Sequence, residues 1–168
     1  ILFDIRGEAS VIKNAICMHE EDYGILWKHT DTRTGEVETR RSRRLVVSSI
    51  ATVGNYEYGF FWYFYQDGGI EYEIKLTGIV NSAGVAPGIK PKHGTLVAPQ
   101  VVAHNHQHFF NVRLDMMVDG INNSAYEIDT ILDPKSEENK HGNAFSTKKT
   151  LIENESDGVR IVDPFAAR

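Results

Sequence analysis

Between Thr52 and Tyr58 the sequence sets an amide, a carboxylate and two phenols side by side, as Asn55, Tyr56, Glu57 and Tyr58, between the apolar runs LVVSSIATV and GFFWYFY. Tyrosine suits strands, and its hydroxyl seeks a partner when buried, so a structural role accounts for either phenol alone. Some fifty residues on, His104, His106 and His108 occupy alternate positions. On an extended strand alternate side chains share a face. That groups the three histidines with Phe110, Val112 and Leu114, opposite Asn105, Gln107, Phe109, Asn111, Arg113 and Asp115. Histidines two apart lie roughly 6.5 Å apart at Cα, close enough to converge on one metal at about 2.0 Å per bond. Four apart they are roughly 13 Å apart and need a bend. The spacing therefore predicts a pair, either His104/His106 or His106/His108, and imidazole suits both zinc and copper. A third protein ligand would have to come from elsewhere, and His19, His29, His93 and His141 are the other histidines.

Strands must position these groups. Residues 45–53 and 57–65 are rich in β-branched and aromatic types, and Thr52–Tyr58 falls where a buried strand is expected. Gln66-Asp67-Gly68-Gly69 supplies a turn. After it Ile70, Tyr72, Ile74 and Leu76 alternate with Glu71, Glu73 and Lys75, the pattern of a half-buried antiparallel strand in a hairpin with the one before. Residues 81–99, rich in Gly, Pro and small residues, read as a long loop, and 100–120 as another long strand. The polar stretch 121–143 has room for one short strand, and a last strand lies near residues 145–152. The class is all-β. Arg40-Arg41-Ser42-Arg43-Arg44 reads as a solvated turn or strand entry rather than a phosphate site.

The 168 residues, 41% hydrophobic with a net charge of −5, predict one globular domain or part of a larger one and speak against a nucleic-acid binder. No apolar run approaches the roughly 20 residues of a membrane span. The single Cys17 has no partner within the chain. The sequence opens at Ile1 without Met and ends at Arg168 without a closing element, so both ends read as cut, and the compartment stays open. Asn122 and Asn154 begin sequons that are frequent by chance.

Thr52-x-x-Asn55-Tyr56-Glu57-Tyr58, followed by His106-Gln107-His108, resembles the signature of the copper amine oxidases, T-x-x-N-Y-[D/E]-Y with a later H-x-H. The similarity extends through ICMHEEDYGILWKH, FFNVRLDMMVDG and GNAFSTKKT. It implies that Tyr56 is the precursor of topaquinone, the quinone that forms a Schiff base with a primary amine, flanked by Asn55 and Glu57. Tyr58 completes the motif and lines the amine's approach. His106 and His108 become copper ligands, with His104 a neighbour. Asp115, through its carboxylate, and Met116, through its carbonyl, match a second, peripheral site for Ca(2+) or another cation. For Asp115, pairing with a basic residue is the competing reading.

The resemblance further implies a large antiparallel β-sandwich, of which residues 1–168 are one partial domain, a central segment incomplete at both ends. It implies a homodimer and the oxidation of primary amines by O2 to aldehydes, with release of ammonia and hydrogen peroxide. The family's aspartate base would lie upstream of Ile1 and its third copper histidine past Arg168. Asp4, Asp22 and Asp31 are not expected to replace that base, nor His141 that ligand. His19 and His29 are assigned only buried hydrogen bonding, and Cys17 sits where some members have a disulfide cysteine. The isolated chain is expected to be inactive or poorly soluble. Two competing readings are a zinc hydrolase built on the H-x-H pair, which leaves the tyrosine motif unexplained, and a non-catalytic β-sandwich binding module.

Overall fold

The computed structural model describes residues 2–163 and 165. These residues form two compact units, divided after His108 and built from antiparallel strands, with a 3-10 turn at Glu155–Gly158.

In the first unit a short pair, β1 (Leu2–Phe3) with β2 (Ala9–Ser10), precedes a four-stranded meander. The meander is β3 (Cys17–Thr30), β4 (Val37–Val53), β5 (Tyr56–Tyr65) and β6 (Ile70–Gly78), hydrogen-bonded in that order. The expected hairpin across residues 66–69 joins β5 to β6, and Gly68 there takes φ +87°.

The structure departs from the expectations in several places. Thr52–Tyr58 is not mid-strand. Gly54 and Asn55 form the two-residue turn of the β4–β5 hairpin, with Val53 paired to Tyr56 and Gly54 at φ +62°, as a hairpin glycine at the first turn position requires. The arginine cluster lies inside β4, where carboxylates of β3 pair with Arg41, Arg43 and Arg44, and Glu38 of β4 pairs with Arg40. Residues 81–99 hold β7 (Ser82–Gly84) and β8 (Gly94–Ala98), which flank β9 (Val101–His104) in a small sheet of order β7-β9-β8.

Directly opposed residues of neighbouring strands share a face, so the register sorts the meander into two unlike surfaces. One carries His19, Glu21, Arg44, Val46, Tyr63, Tyr65, Glu71 and Glu73. Arg44 is its hub. It donates to Glu21 (2.9 Å) and to the Tyr65 hydroxyl (3.1 Å), and its guanidinium lies 4.2 and 3.8 Å from the Tyr23 and Tyr63 ring centres. Tyr65 and Tyr63 donate onward to Glu71 (2.7 Å) and Glu73 (2.6 Å). The other surface carries Leu45, Val47, Val53, Tyr56, Tyr58, Phe60, Trp62, Phe64, Ile70, Tyr72, Ile74 and Leu76. The alternation read along 70–76 is therefore correct, although Ile70 and Leu76 remain about half exposed. The buried hydrophobic core is small: Val46 paired with Tyr63 in the meander, and Val102 in the small sheet.

In the second unit β10 (Ala125–Leu132) pairs with β11 (Phe145–Ile152), the short strand and the last strand expected there. The long strand expected over 100–120 is not formed. The extended ladder ends at His104, and residues 105–117 carry no regular structure.

Candidate active site

Tyr56 opens β5 directly after the hairpin turn, and three features fix its backbone. Asn55 accepts the Ile79 N–H through its carbonyl at 2.7 Å. The Thr52 hydroxyl donates to the Glu57 carboxylate at 2.8 Å across the strand pair. Gly78, paired with Tyr56 at φ +100°, lies so close that a Cβ there would sit 2.5 Å from the Asn55 oxygen and 3.0 Å from the Tyr56 Cα. Glu57 points to the face opposite Tyr56 and Tyr58, so it locks the hairpin from behind. Gly54 and Gly78 were not singled out in the sequence. The Gly-Asn dipeptide between two apolar runs was the available signal for the turn, and Gly78 had none beyond being a glycine at a strand end.

The site forms on the apolar face, within the first unit. His106 and His108 lie just past the end of β9, in irregular chain. Their convergence therefore does not come from strand alternation, but the two rings still meet, with centres 4.8 Å apart at 73°. The Tyr56 hydroxyl is 2.9 Å from His106 Nε2, and the Tyr56 ring centre lies 5.2 Å from that of His108. The Tyr58 hydroxyl is 3.0 Å from His108 Nδ1. His106 Nδ1 lies 2.9 Å from the His104 carbonyl oxygen.

A carbonyl only accepts, so His106 Nδ1 carries a proton and in the neutral ring Nε2 keeps the lone pair. Tyr56 then donates to Nε2 while accepting the Asn81 N–H at 3.3 Å. His104 touches the pair through its backbone. Two imidazoles whose Nδ1 atoms are both engaged, with rings in contact, are a donor set suited to copper or zinc. Among the described residues no group of three His, Cys, Asp or Glu side chains is arranged to hold a metal.

Asp115 and Met116 lie in the second unit, exposed, in irregular chain. The Met116 carbonyl accepts from Asn123 Nδ2 at 3.2 Å, and Asn123 ties the same loop through Val118 and Gly120. His19 and His29 are exposed and not buried as expected. His19 bonds Glu21 (2.9 Å) and contacts Cys17 Sγ (3.6 Å), and its β3 face is open on the arginine side of the sheet. The nearby aspartates are committed elsewhere. Arg41 holds Asp22 well below the usual carboxylate range, and Arg33 lowers Asp31. A carboxylate held ionised in that way is a weak base.

The sequence profile of the copper amine oxidase enzyme domain matches residues 1–168. A histamine oxidase of Arthrobacter globiformis is 52% identical over 97% of this chain and 24% of its own length. A peroxisomal copper-containing diamine oxidase of Nicotiana tabacum is 48% identical over 98% of this chain and 22% of its own. The crystal structure of a copper-containing benzylamine oxidase from Hansenula polymorpha superposes with a TM-score of 0.76 at 36% identity, covering 89% of this chain and 24% of that one. The chain thus spans about a quarter of the length of these relatives.

Proposed function

This chain belongs to the copper amine oxidase family, and on that premise we propose that it carries the cofactor centre of an enzyme that oxidises primary amines with O2 to aldehydes, ammonia and hydrogen peroxide. The observation that carries this reading is the Tyr56 hydroxyl held 2.9 Å from His106 Nε2, with His108 against the same ring. Copper bound by His106 and His108 would make the Tyr56 ring oxidisable by O2, and the resulting topaquinone would take the amine's electrons.

The chain's own residues prepare that ring. In the metal-free site His106 Nε2 accepts the phenol's hydrogen bond and so sets where its oxygen lies. The Asn81 N–H holds the oxygen from the other side. The Gly54–Asn55 turn, the Thr52–Glu57 bond and the close approach of Gly78 fix the backbone from which the ring projects, and such restraint matters where a misplaced reacting atom costs rate. The lone pair that accepts from Tyr56 is the one a metal would take, so the phenol must give up this hydrogen bond when the metal enters.

Residues 1–168 form the central part of the catalytic domain in this reading. The general base and a third histidine ligand come from the rest of the protein, which is a homodimer. Asp115 and the Met116 carbonyl contribute to a peripheral cation site, Ca(2+) being one occupant. The test uses the full-length protein: copper(II) is added without oxygen, air is admitted, the product is trapped with phenylhydrazine and the labelled peptide is mapped by mass spectrometry. Label on Tyr56 is expected. An unlabelled Tyr56 in copper-loaded protein refutes the assignment.

A further inference from the structure

An imidazole can serve a metal with one nitrogen only while its other nitrogen carries the proton, and a neighbouring acceptor decides which is which. The two histidines solve this differently. His106 uses main chain, since the His104 carbonyl accepts from Nδ1 at 2.9 Å and no other polarity is open to it. At His108 Nδ1 no carbonyl lies in hydrogen-bond range among the described residues. The group there is the Tyr58 hydroxyl, at 3.0 Å, and a hydroxyl can donate or accept. If Tyr58 donated, Nδ1 would hold the lone pair and Nε2 the proton, and His108 could not share an ion with His106 through Nε2.

On the reading above, in which both histidines bind copper, we infer that Tyr58 is a positioning residue for the metal. Its oxygen accepts the Nδ1–H of His108, fixing the tautomer whose Nε2 lone pair is free. Two observations converge on this. Tyr58 lies on the same face as Tyr56 and one pleat along, so its hydroxyl reaches the second histidine as that of Tyr56 reaches the first. The Tyr58 and His108 ring centres are 5.8 Å apart, a packed pair and not a chance approach of two tips. Both Nδ1 atoms are then engaged from outside the His106–His108 pair, leaving each Nε2 with its lone pair. The second tyrosine of the motif thus acts on the metal side of the site.

The experiment compares full-length wild type with Tyr58→Phe, which keeps the ring, and with Tyr72→Phe, a hydroxyl deletion on the same sheet face. Copper(II) affinity is measured by competition titration, the bound ion by electron paramagnetic resonance, and folding by the melting curve of the metal-free proteins. Tyr58→Phe is expected to bind copper about ten- to a hundredfold more weakly with altered hyperfine splitting and an unchanged metal-free melt, while Tyr72→Phe matches wild type. Equal affinity and identical spectra for Tyr58→Phe and wild type overturn the inference alone. Wild type that takes up no copper refutes the functional reading and the inference with it. Should Tyr58→Phe not fold, the crystal structure of copper-loaded wild type decides: copper on His108 Nε2 with Tyr58 against Nδ1 supports it, and copper on Nδ1 overturns it.

Discussion

Gly78 presents a hydrogen where any other residue carries a Cβ, and that hydrogen faces the backbone of Asn55 and Tyr56. At φ +100° an L side chain is strained before any contact is counted. Gly78→Ala must therefore push β6 away from the hairpin turn or twist the turn itself. Strain of this kind costs about 1–3 kcal/mol. The melting temperature of the full-length protein should fall, and quinone formation should slow by up to about a hundredfold if the Tyr56 ring moves by an ångström. Wild-type rates in a correctly folded Gly78→Ala protein would show that this close approach does not position the ring. The same scale explains what was readable beforehand. Tyr56, His106 and His108 were legible as chemical types at a telling spacing. The tautomers were not, because they depend on a carbonyl at His104 and a hydroxyl at Tyr58 that meet the rings only in the folded chain.

Hydrophobic pattern made β5, β6 and their hairpin visible, through the aromatic run of β5 and the alternation with charges in β6. It left β3 and the first half of β4 invisible, because their pairing is ionic. In that register Glu21 faces Arg44 and Asp22 faces Arg43, and the side chains bond Glu21 to Arg44 and Asp22 to Arg41. Charges that neutralise each other across a ladder leave no apolar period to read. The opposite error arose over residues 105–117, where alternation is present but no neighbouring strand supplies a ladder.

The ionic pairing carries a pH signature. The Glu21 carboxyl is lowered from its ordinary 4.5, first by the His19 hydrogen bond and then by Arg44. A carboxyl whose folded value is depressed binds fewer protons folded than unfolded, so its stabilisation is present above 4.5 and is lost as the pH falls through the lower, folded value. Melting temperatures taken from about pH 6 to about pH 3 should fall more steeply for wild type than for Glu21→Gln. Parallel curves would mean that Glu21 adds nothing, as exposed pairs often do.

At the scale of the whole molecule the decisive fact is the contrast between the two faces of the meander. The Arg44 face is tied together by hydrogen bonds and ring contacts. The face that holds the site leaves Leu45, Val53, Phe64, Ile70 and Leu76 between 37% and 59% exposed. Contiguous apolar surface of this kind belongs against another layer, and β6 also ends the meander as a strand with one open edge. A site built on such a face depends on its covering. The layer that buries the sheet would also keep water from Tyr56 and restrict the imidazole pair. The chain of residues 1–168 made alone is therefore expected to self-associate on gel filtration, to bind a hydrophobic dye strongly, and to show no aerobic amine turnover after copper loading. The full-length protein should do the reverse on all three counts. A monodisperse, dye-silent and active short chain would mean that residues 1–168 cover their own site, and the reading of them as one part of a larger catalytic domain would have to be abandoned.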